Sequence, residues 1–169
     1  MTTRRYRRRS WLHPDVAVDA SEIEGRGLFA ARALAEGETV LVLGGTLIGD
    51  AELSRLSRHS SLAVGEGINL LQAEDDPARY GNHSCDPNLW LADEVTLVTR
   101  RPVAAGEELT VDYATMTVAP WEMDCRCGSA GCRGVVTGDD WRRPDLQERY
   151  AGRFSPFIDV RITKLRRAQ

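Results

Sequence analysis

The sequence predicts a mainly β fold, one domain of short strands joined by tight turns, with few helices. Three observations predict it. The chain has 169 residues, 42% hydrophobic and 28% charged, which suits one domain with its own core and excludes a disordered chain. Its apolar runs are short and bounded by Gly, Pro, Asp and Asn, the pattern of strands and turns. Only two stretches carry helical signals, one weak and one short.

The elements follow in order. Residues 1–15 read as a basic, disordered tail, with Arg4, Arg5, Arg7, Arg8 and Arg9 in the first nine positions. Arg4-Arg5 could open a twin-arginine export signal, but no apolar segment follows, so secretion is rejected and a cytoplasmic location is expected. No run approaches the roughly 18–20 apolar residues of a membrane span. Val16-Ala17-Val18 reads as a strand. Gly25 and Gly27 bracket Arg26, which permits a tight turn or close approach of backbone to a ligand. Thr39 to Ile48, Glu94 to Arg100 and Leu109 to Tyr113 are further strand candidates. Asp50 to Arg58 has weak helical spacing through Leu53 and Leu56. Ala33 to Val40 is echoed by Pro102 to Val111, each a small-residue turn closed by Gly-Glu and followed by an apolar run. Near the C-terminus, Asp145 stands three residues before Glu148, a capping-box arrangement. Pro144 and Gly152 bound a helix of about two turns. Phe154, Phe157 and Ile158 are expected to fold back on the body, and a basic tail to follow.

The net charge of −3 is unevenly spread. The first and last nine residues hold nine of the 22 cationic side chains and no acid, so 13 basic residues face 25 acidic ones in the body, a charge of −12. An acidic body attracts basic partners and repels nucleic acid, which leaves only the basic tails as a nucleic-acid contact. A solvated acidic surface with two tails is the plain alternative.

Three of the four cysteines form Cys125-x-Cys127-x4-Cys132, with Gly128 and Gly131 inside, and Cys85 lies forty residues upstream. In a reducing compartment such a cluster points to metal rather than disulfides. Cys125 and Cys127 are also too close for a relaxed mutual disulfide. Four thiolates make a closed tetrahedral site for one structural zinc ion, because no position is left open for substrate.

Asn82-His83-Ser84-Cys85-Asp86-Pro87-Asn88 is a dense polar stretch before the apolar Leu89-Trp90-Leu91. Taken with Gly25-Arg26-Gly27-Leu28-Phe29-Ala30, Gly106-Glu107-Glu108-Leu109-Thr110-Val111-Asp112-Tyr113 and the cysteine cluster, it resembles the SET-domain lysine methyltransferase family. The four motifs stand in the family's order over about residues 16–135, and the fourth zinc ligand falls inside the second motif as the family requires.

The resemblance implies a SET fold of small curled sheets, with the Asn82 segment threaded beneath a loop in a knot-like crossing. It implies a SET domain over 16–118, a post-SET zinc segment over 119–136, and a C-terminal helix with a basic tail over 137–169. It implies S-adenosylmethionine as methyl donor, contacted by Gly25, Arg26 and Gly27, with Asn82 and His83 holding its adenine end largely through backbone groups. Tyr113 would be the catalytic tyrosine, and Val111 and Trp121 would line the substrate channel. The expected reaction is N-methylation of a lysine in a basic protein or peptide, histone-like, chromosomal or ribosomal. Such a lysine must first lose its proton, its free pKa being about 10.4. A narrow apolar channel favours that loss.

Several residues depart from the family's pattern. Val111 stands where an aromatic residue is usual, which widens the space beside the amine. No tyrosine lies between Tyr6 and Tyr80, and Tyr80-Gly81 replaces the commoner Phe-Ile. The insert between residues 49 and 81 is short. These departures keep open a catalytically inactive module that binds a peptide or cofactor in the same cleft.

Overall fold

The alternating and short apolar runs become thirteen strands among the described residues of this computed structural model, which are 6–56, 60–118 and 120–168. In chain order they are β1 (Trp11–Leu12), β2 (Val16–Ala20), β3 (Arg26–Ala30), β4 (Thr39–Val42), β5 (Thr46–Gly49), β6 (Ser61–Gly65), β7 (Ile68–Leu71), β8 (Asn82–His83), β9 (Leu89–Leu91), β10 (Thr96–Thr99), β11 (Glu108–Val111), β12 (Glu122–Asp124) and β13 (Val135–Thr137). Three α-helices accompany them: α1 (Asp50–Leu53), α2 (Pro144–Arg149) and α3 (Pro156–Arg167). The fold is mainly β, as expected. Arg4, Arg5 and the end of the weak helix at Arg58 lie outside the described residues.

The strands form four small sheets, ordered β1-β4-β10-β9, β2-β3-β11-β8, β5-β7-β6 and β12-β13. Among the described residues all strand pairings are antiparallel except one: β8 lies parallel to β11, with Asn82 opposite Thr110 and His83 opposite Val111. That pair lays the Asn82 segment alongside the strand leading to Tyr113. Asn88 extends the contact. Its side-chain carbonyl takes the Thr110 N–H at 2.9 Å, and its amide donates to the Glu108 carbonyl at 2.7 Å. One core packs Leu28, Leu62, Leu70 and Leu109, all fully buried, between these sheets. A second gathers Trp141, Leu146, Tyr150, Phe154, Ile158 and Ile162 from the C-terminal third.

The echo in the sequence is a repeated turn. Glu38 accepts the Ala35 N–H at 2.9 Å, and Glu107 accepts the Ala104 N–H at 3.0 Å. Arg32 pairs with Glu38 as Arg101 pairs with Glu107. Gly37 and Gly106 have φ of +78° and +82°, the left-handed backbone that glycine supplies at least cost. The two turns then bond to each other, Leu34 to Val103 in both directions.

Four expectations are corrected. The candidate strand from Thr39 to Ile48 is two strands in different sheets, broken at Gly44-Gly45. A Cβ on Gly45 would collide with the Leu71 carbonyl oxygen, and one on Gly44 would collide with the Arg9 carbonyl. The same crowding explains why residues 6–15 are not a disordered tail. Arg7 accepts the Gly45 N–H at 2.8 Å, Ser10 donates its N–H to Asp76 at 2.8 Å, and Trp11–Leu12 joins a sheet. At the other end, Arg161, Lys164, Arg166 and Arg167 belong to α3 rather than a tail. Ser155 caps α3 and Pro156 opens it, while the cations of its last turn suit the negative end of the helix dipole. The capping box at Asp145 does not form. Pro144 already presets the first turn of α2, and Asp145 instead pairs with Arg143 at 3.0 Å.

Gly44→Ala tests the packed N-terminal segment. It is expected to cost about 1–3 kcal/mol of unfolding free energy as an overpacking change, and to speed proteolysis within residues 6–10. An unchanged thermal midpoint with unchanged cleavage would contradict the packing.

Candidate active site and metal centre

β11 ends at Val111, and the chain turns at once into a 3-10 turn, Tyr113–Thr115, capped by Asp112, whose Oδ1 accepts the Ala114 N–H at 3.0 Å. The turn aims the Tyr113 hydroxyl back across β8, where it donates to the Gly81 carbonyl at 2.9 Å. Burial, aided by the Glu108 charge, pushes the phenol up to about 12, so it stays protonated near neutral pH. The backbone N–H of Tyr113 donates to His83 Nδ1 at 3.2 Å. That bond fixes the tautomer: the His83 proton sits on Nε2, which faces Cys85 Sγ at 3.4 Å. Burial lowers His83 to about 4 despite nearby Asp112, so the ring is neutral.

The glycine turn is held from the same place. Asn82 Nδ2 lies 2.8–3.1 Å from Ser21 Oγ, the Glu24 and Arg26 carbonyls and Glu108 Oε1. Two amide hydrogens therefore serve a cluster of acceptors on the β2–β3 turn, where Gly25 has φ +50°, and on Glu108 of β11. Gly27 is compact for a different reason: a Cβ there would collide with Glu108 Oε1. The Arg26 guanidinium lies over the Tyr80 ring at 4.9 Å.

The four cysteines converge. Cys85, Cys125, Cys127 and Cys132 offer sulfur atoms that all lie within 4.8 Å of one another. Cys85 and Cys125 are 3.7 Å apart, close to the roughly 3.8 Å edge of a tetrahedron with a metal–sulfur bond of about 2.3 Å. Backbone N–H groups support thiolates: Arg133 donates to Cys85 Sγ at 3.3 Å and Cys85 to Cys127 Sγ at 3.5 Å. Burial pushes the Cys85 and Cys125 thiols up. At Cys127 the Ser129 hydroxyl and the Cys85 N–H outweigh burial and bring the thiol down to about 6. The donor set fits one tetrahedral ion held by four sulfurs, a coordination zinc accepts.

Sequence reasoning missed the charged groups behind this cluster. The Arg133 guanidinium grips Asp112 with both terminal nitrogens, at 2.6 and 2.8 Å. Its Nε lies 2.9 Å from Asp140 Oδ2, an ion contact without hydrogen-bond alignment. Tyr150 donates its hydroxyl to Asp112 Oδ2 at 3.1 Å, and Arg149 donates to the Cys85 carbonyl at 2.9 Å. Burial raises the Asp112 carboxyl, but Arg133 overrides it and holds the group below the usual carboxylate range. The Arg133 position, directly after the last cysteine, was the available signal.

Two cavities meet at Tyr113. The smaller, about 220 Å³, is lined by Glu24, Asn82, His83, Tyr113, Met123 and Asp124 among others. The larger, about 840 Å³, takes in Val111, Tyr113, Met116, Trp121, Met123 and Phe157. Val111 and Trp121 are thus together on the larger side, with the Trp121 ring edge-on to Tyr113 at 6.1 Å between centroids. Asn82 and His83 are on the smaller side. Glu24 brings the glycine turn to its rim, while Gly25, Arg26 and Gly27 themselves do not line it.

A family model described as "SET domain" matches residues 25–114. Histone-lysine N-methyltransferase SETD2 of Homo sapiens is 31% identical over 157 residues, which is 82% of this chain and 6% of that protein. Histone-lysine N-methyltransferase trithorax of Drosophila virilis is 31% identical over 138 residues, 70% of this chain and 4% of that protein. The chain therefore spans about a twentieth of the length of these relatives. Among solved structures, the methyltransferase domain of human Histone-lysine N-methyltransferase SETMAR is similar at a TM-score of 0.60, with 21% identity over 73% of this chain and 58% of that one. That likeness bears on the fold. No helix among the described residues is long and apolar enough to cross a membrane.

Cys127→Ser tests the metal centre. By elemental analysis the parent is expected to hold one zinc ion per chain and the variant to lose it, and the variant is expected to melt at lower temperature. Zinc binding should release protons, since thiols must ionise to ligate. A full zinc complement in the serine variant would remove Cys127 from the ligand set.

Proposed function

Because the chain belongs to the SET-domain family, we propose that it is a protein-lysine N-methyltransferase using S-adenosylmethionine, with Tyr113 at the reacting centre. The observation that carries this reading is that Tyr113 lines both cavities, so one hydroxyl lies between a cofactor side and an acceptor side. The cofactor side would be the smaller cavity. There Asn82 keeps the Gly25-Arg26-Gly27 turn in place, His83 holds the backbone of Tyr113, and Glu24 and Asp124 offer negative charge suited to a cationic sulfonium. When bound, S-adenosylmethionine supplies an electrophilic methyl carbon, and displacement then depends on aligning a neutral amine with it.

The chain's own residues provide that alignment. Tyr113 donates its O–H to the Gly81 carbonyl in a hydrogen bond, which turns the lone pairs of its oxygen toward the junction. They can accept polarised C–H and amine N–H contacts without the phenol ionising. Val111, Met116 and Trp121 present apolar walls, and a lysine entering them is driven toward its neutral form by desolvation. Asp50 stands on the rim of the larger cavity, its Oδ1 held by Asn69 at 2.7 Å. With the acidic body, it favours a basic protein or peptide as acceptor. The metal loop between β12 and β13 would serve as a post-SET segment over about 119–136, following a SET domain over 16–118. Four cysteines gathered as thiols rather than disulfides suit a reducing compartment, which supports a cytoplasmic setting.

The test is transfer of labelled methyl from S-adenosylmethionine to core histones and to fractionated basic proteins. Tyr113→Phe is expected to lower the rate about 10²-fold or more, the scale of removing one preorganised polar group from a reacting centre. Cofactor binding without label on any protein would put the binding-module reading in its place. Val111→Phe narrows the acceptor side, so intact-mass analysis should show fewer methyl groups per lysine. An unchanged product distribution would place Val111 away from the amine.

A further inference from the structure

Arg133 ties the metal site, the residue before Tyr113 and the C-terminal third together. Its backbone N–H reaches Cys85 Sγ, its fork holds Asp112, and its Nε faces Asp140. Its side chain is 5% exposed and that of Asp112 is fully buried. Both charges are thus removed from water, and neither has a solvent route to compensation.

We propose that Arg133 is a positioning residue for Tyr113, transmitting the docking of the metal loop to the reacting centre through Asp112. The proposal rests on the lysine methyltransferase reading. The chain of contacts is short. Asp112 Oδ1 caps the turn that begins at Tyr113, through the Ala114 N–H. The same oxygen lies 3.7 Å from His83 Nδ1, the acceptor of the Tyr113 N–H. The Tyr113 hydroxyl then depends on that backbone to reach Gly81. Without the guanidinium, a buried carboxylate is left with the Tyr150 hydroxyl and one backbone N–H. It must then move toward water or take up a proton. Movement breaks the cap, and protonation leaves a carboxylic acid, a weaker acceptor of the Ala114 N–H than a carboxylate or an amide, so either change loosens the cap and displaces Tyr113, whose value to the reaction lies in its placement.

Zinc-loaded parent, Arg133→Met, Arg133→Lys and the double variant Asp112→Asn with Arg133→Met make the test. In the double variant, the amide oxygen that Asp112→Asn leaves at the cap still accepts the Ala114 N–H with no unpaired charge beside Tyr113, and the ion contact to buried Asp140 is lost equally in Arg133→Met, so it cancels between the two variants. Arg133→Met is expected to keep its zinc and lose about 10²-fold in kcat, the scale of an ångström of misplacement, with KM for S-adenosylmethionine changed less than about 3-fold. The double variant should recover to within about 10-fold of the parent. An unchanged kcat, a rise in KM alone, or a double variant no better than Arg133→Met would overturn the proposal. Should Arg133→Met shed zinc, Arg133→Lys, which keeps the charge but not the fork, is read by the same criteria. A parent that methylates nothing would sink the enzyme reading, not this coupling. Hydrogen exchange at the Tyr113 amide then decides: faster exchange in Arg133→Met, restored in the double variant, upholds it, and equal exchange in all three refutes it.

Discussion

Seven consecutive residues, Asn82 to Asn88, carry a constraint that the rest of the structure depends on: the polar groups they bury find their partners on different elements. Asn82 satisfies the β2–β3 turn, His83 the backbone after β11, Cys85 the metal loop, and Asn88 the edge of β11. Buried donors and acceptors left unmade cost about 1–3 kcal/mol each, so the segment can occupy one register only. Small sheets of two to four strands have little apolar area with which to choose their mutual arrangement. The polar segment between them makes that choice. It is also why the candidate site sits here: groups fixed for the sake of satisfaction are already preorganised for a ligand.

Behind this segment the electrostatics are arranged in layers. Four thiolates around a divalent ion leave a net charge of −2, and Asp112 and Asp140 add carboxylates on the far side of Arg133. A buried ion pair of this sort adds little net stability over an apolar pair, but breaking it by removing one partner costs about 3–5 kcal/mol. The Asp112–Arg133 pair is therefore better understood as a device for fixing geometry than as a source of stability. The neutral His83 fits the same logic. With Arg133 nearby and burial opposing charge, a protonated ring would lose the acceptor on which the Tyr113 N–H depends.

Much of this was legible in the sequence because it was written in residue types with few alternative uses. Cysteine spacing pointed to the metal cluster, and the order of the four motifs pointed to the fold. The Gly-Glu echo marked two real turns. What was not legible were features set by tertiary packing. Gly44-Gly45 looked like the middle of an apolar run, and only the approach of the Arg9 backbone shows it as a break. The β6–β7 hairpin alternates too weakly to stand out. The arginines of α3 looked like a solvated tail because their apolar partners, Ile158 and Ile162, are sparse in the sequence though well buried. Asp112 and Arg133 are ordinary charged residues until the metal loop docks and places one against the other.

The departures from the family's pattern acquire a physical sense in the larger cavity. Val111 contributes a small side chain, and Tyr80 is turned away under Arg26, so the SET motifs themselves supply little aromatic surface beside Tyr113. That surface comes from later in the chain, from Trp121 before β12 and Phe157 on α3, with the thioether of Met123 in β12 lining the same cavity. Phe157 in turn carries Arg161, whose guanidinium stacks on the ring at 4.9 Å and reaches Glu66 at the tip of the β6–β7 hairpin at 2.6 Å. One wall of the acceptor side is thus assembled from segments that follow Tyr113 in sequence and are held by the metal loop, by the Asp112–Arg133 pair and by the second core. The cavity owes its shape to docking rather than to the strands that bear its central tyrosine. A change that loosens the C-terminal third should therefore alter the acceptor side while leaving the Asn82 clamp on the β2–β3 turn in place.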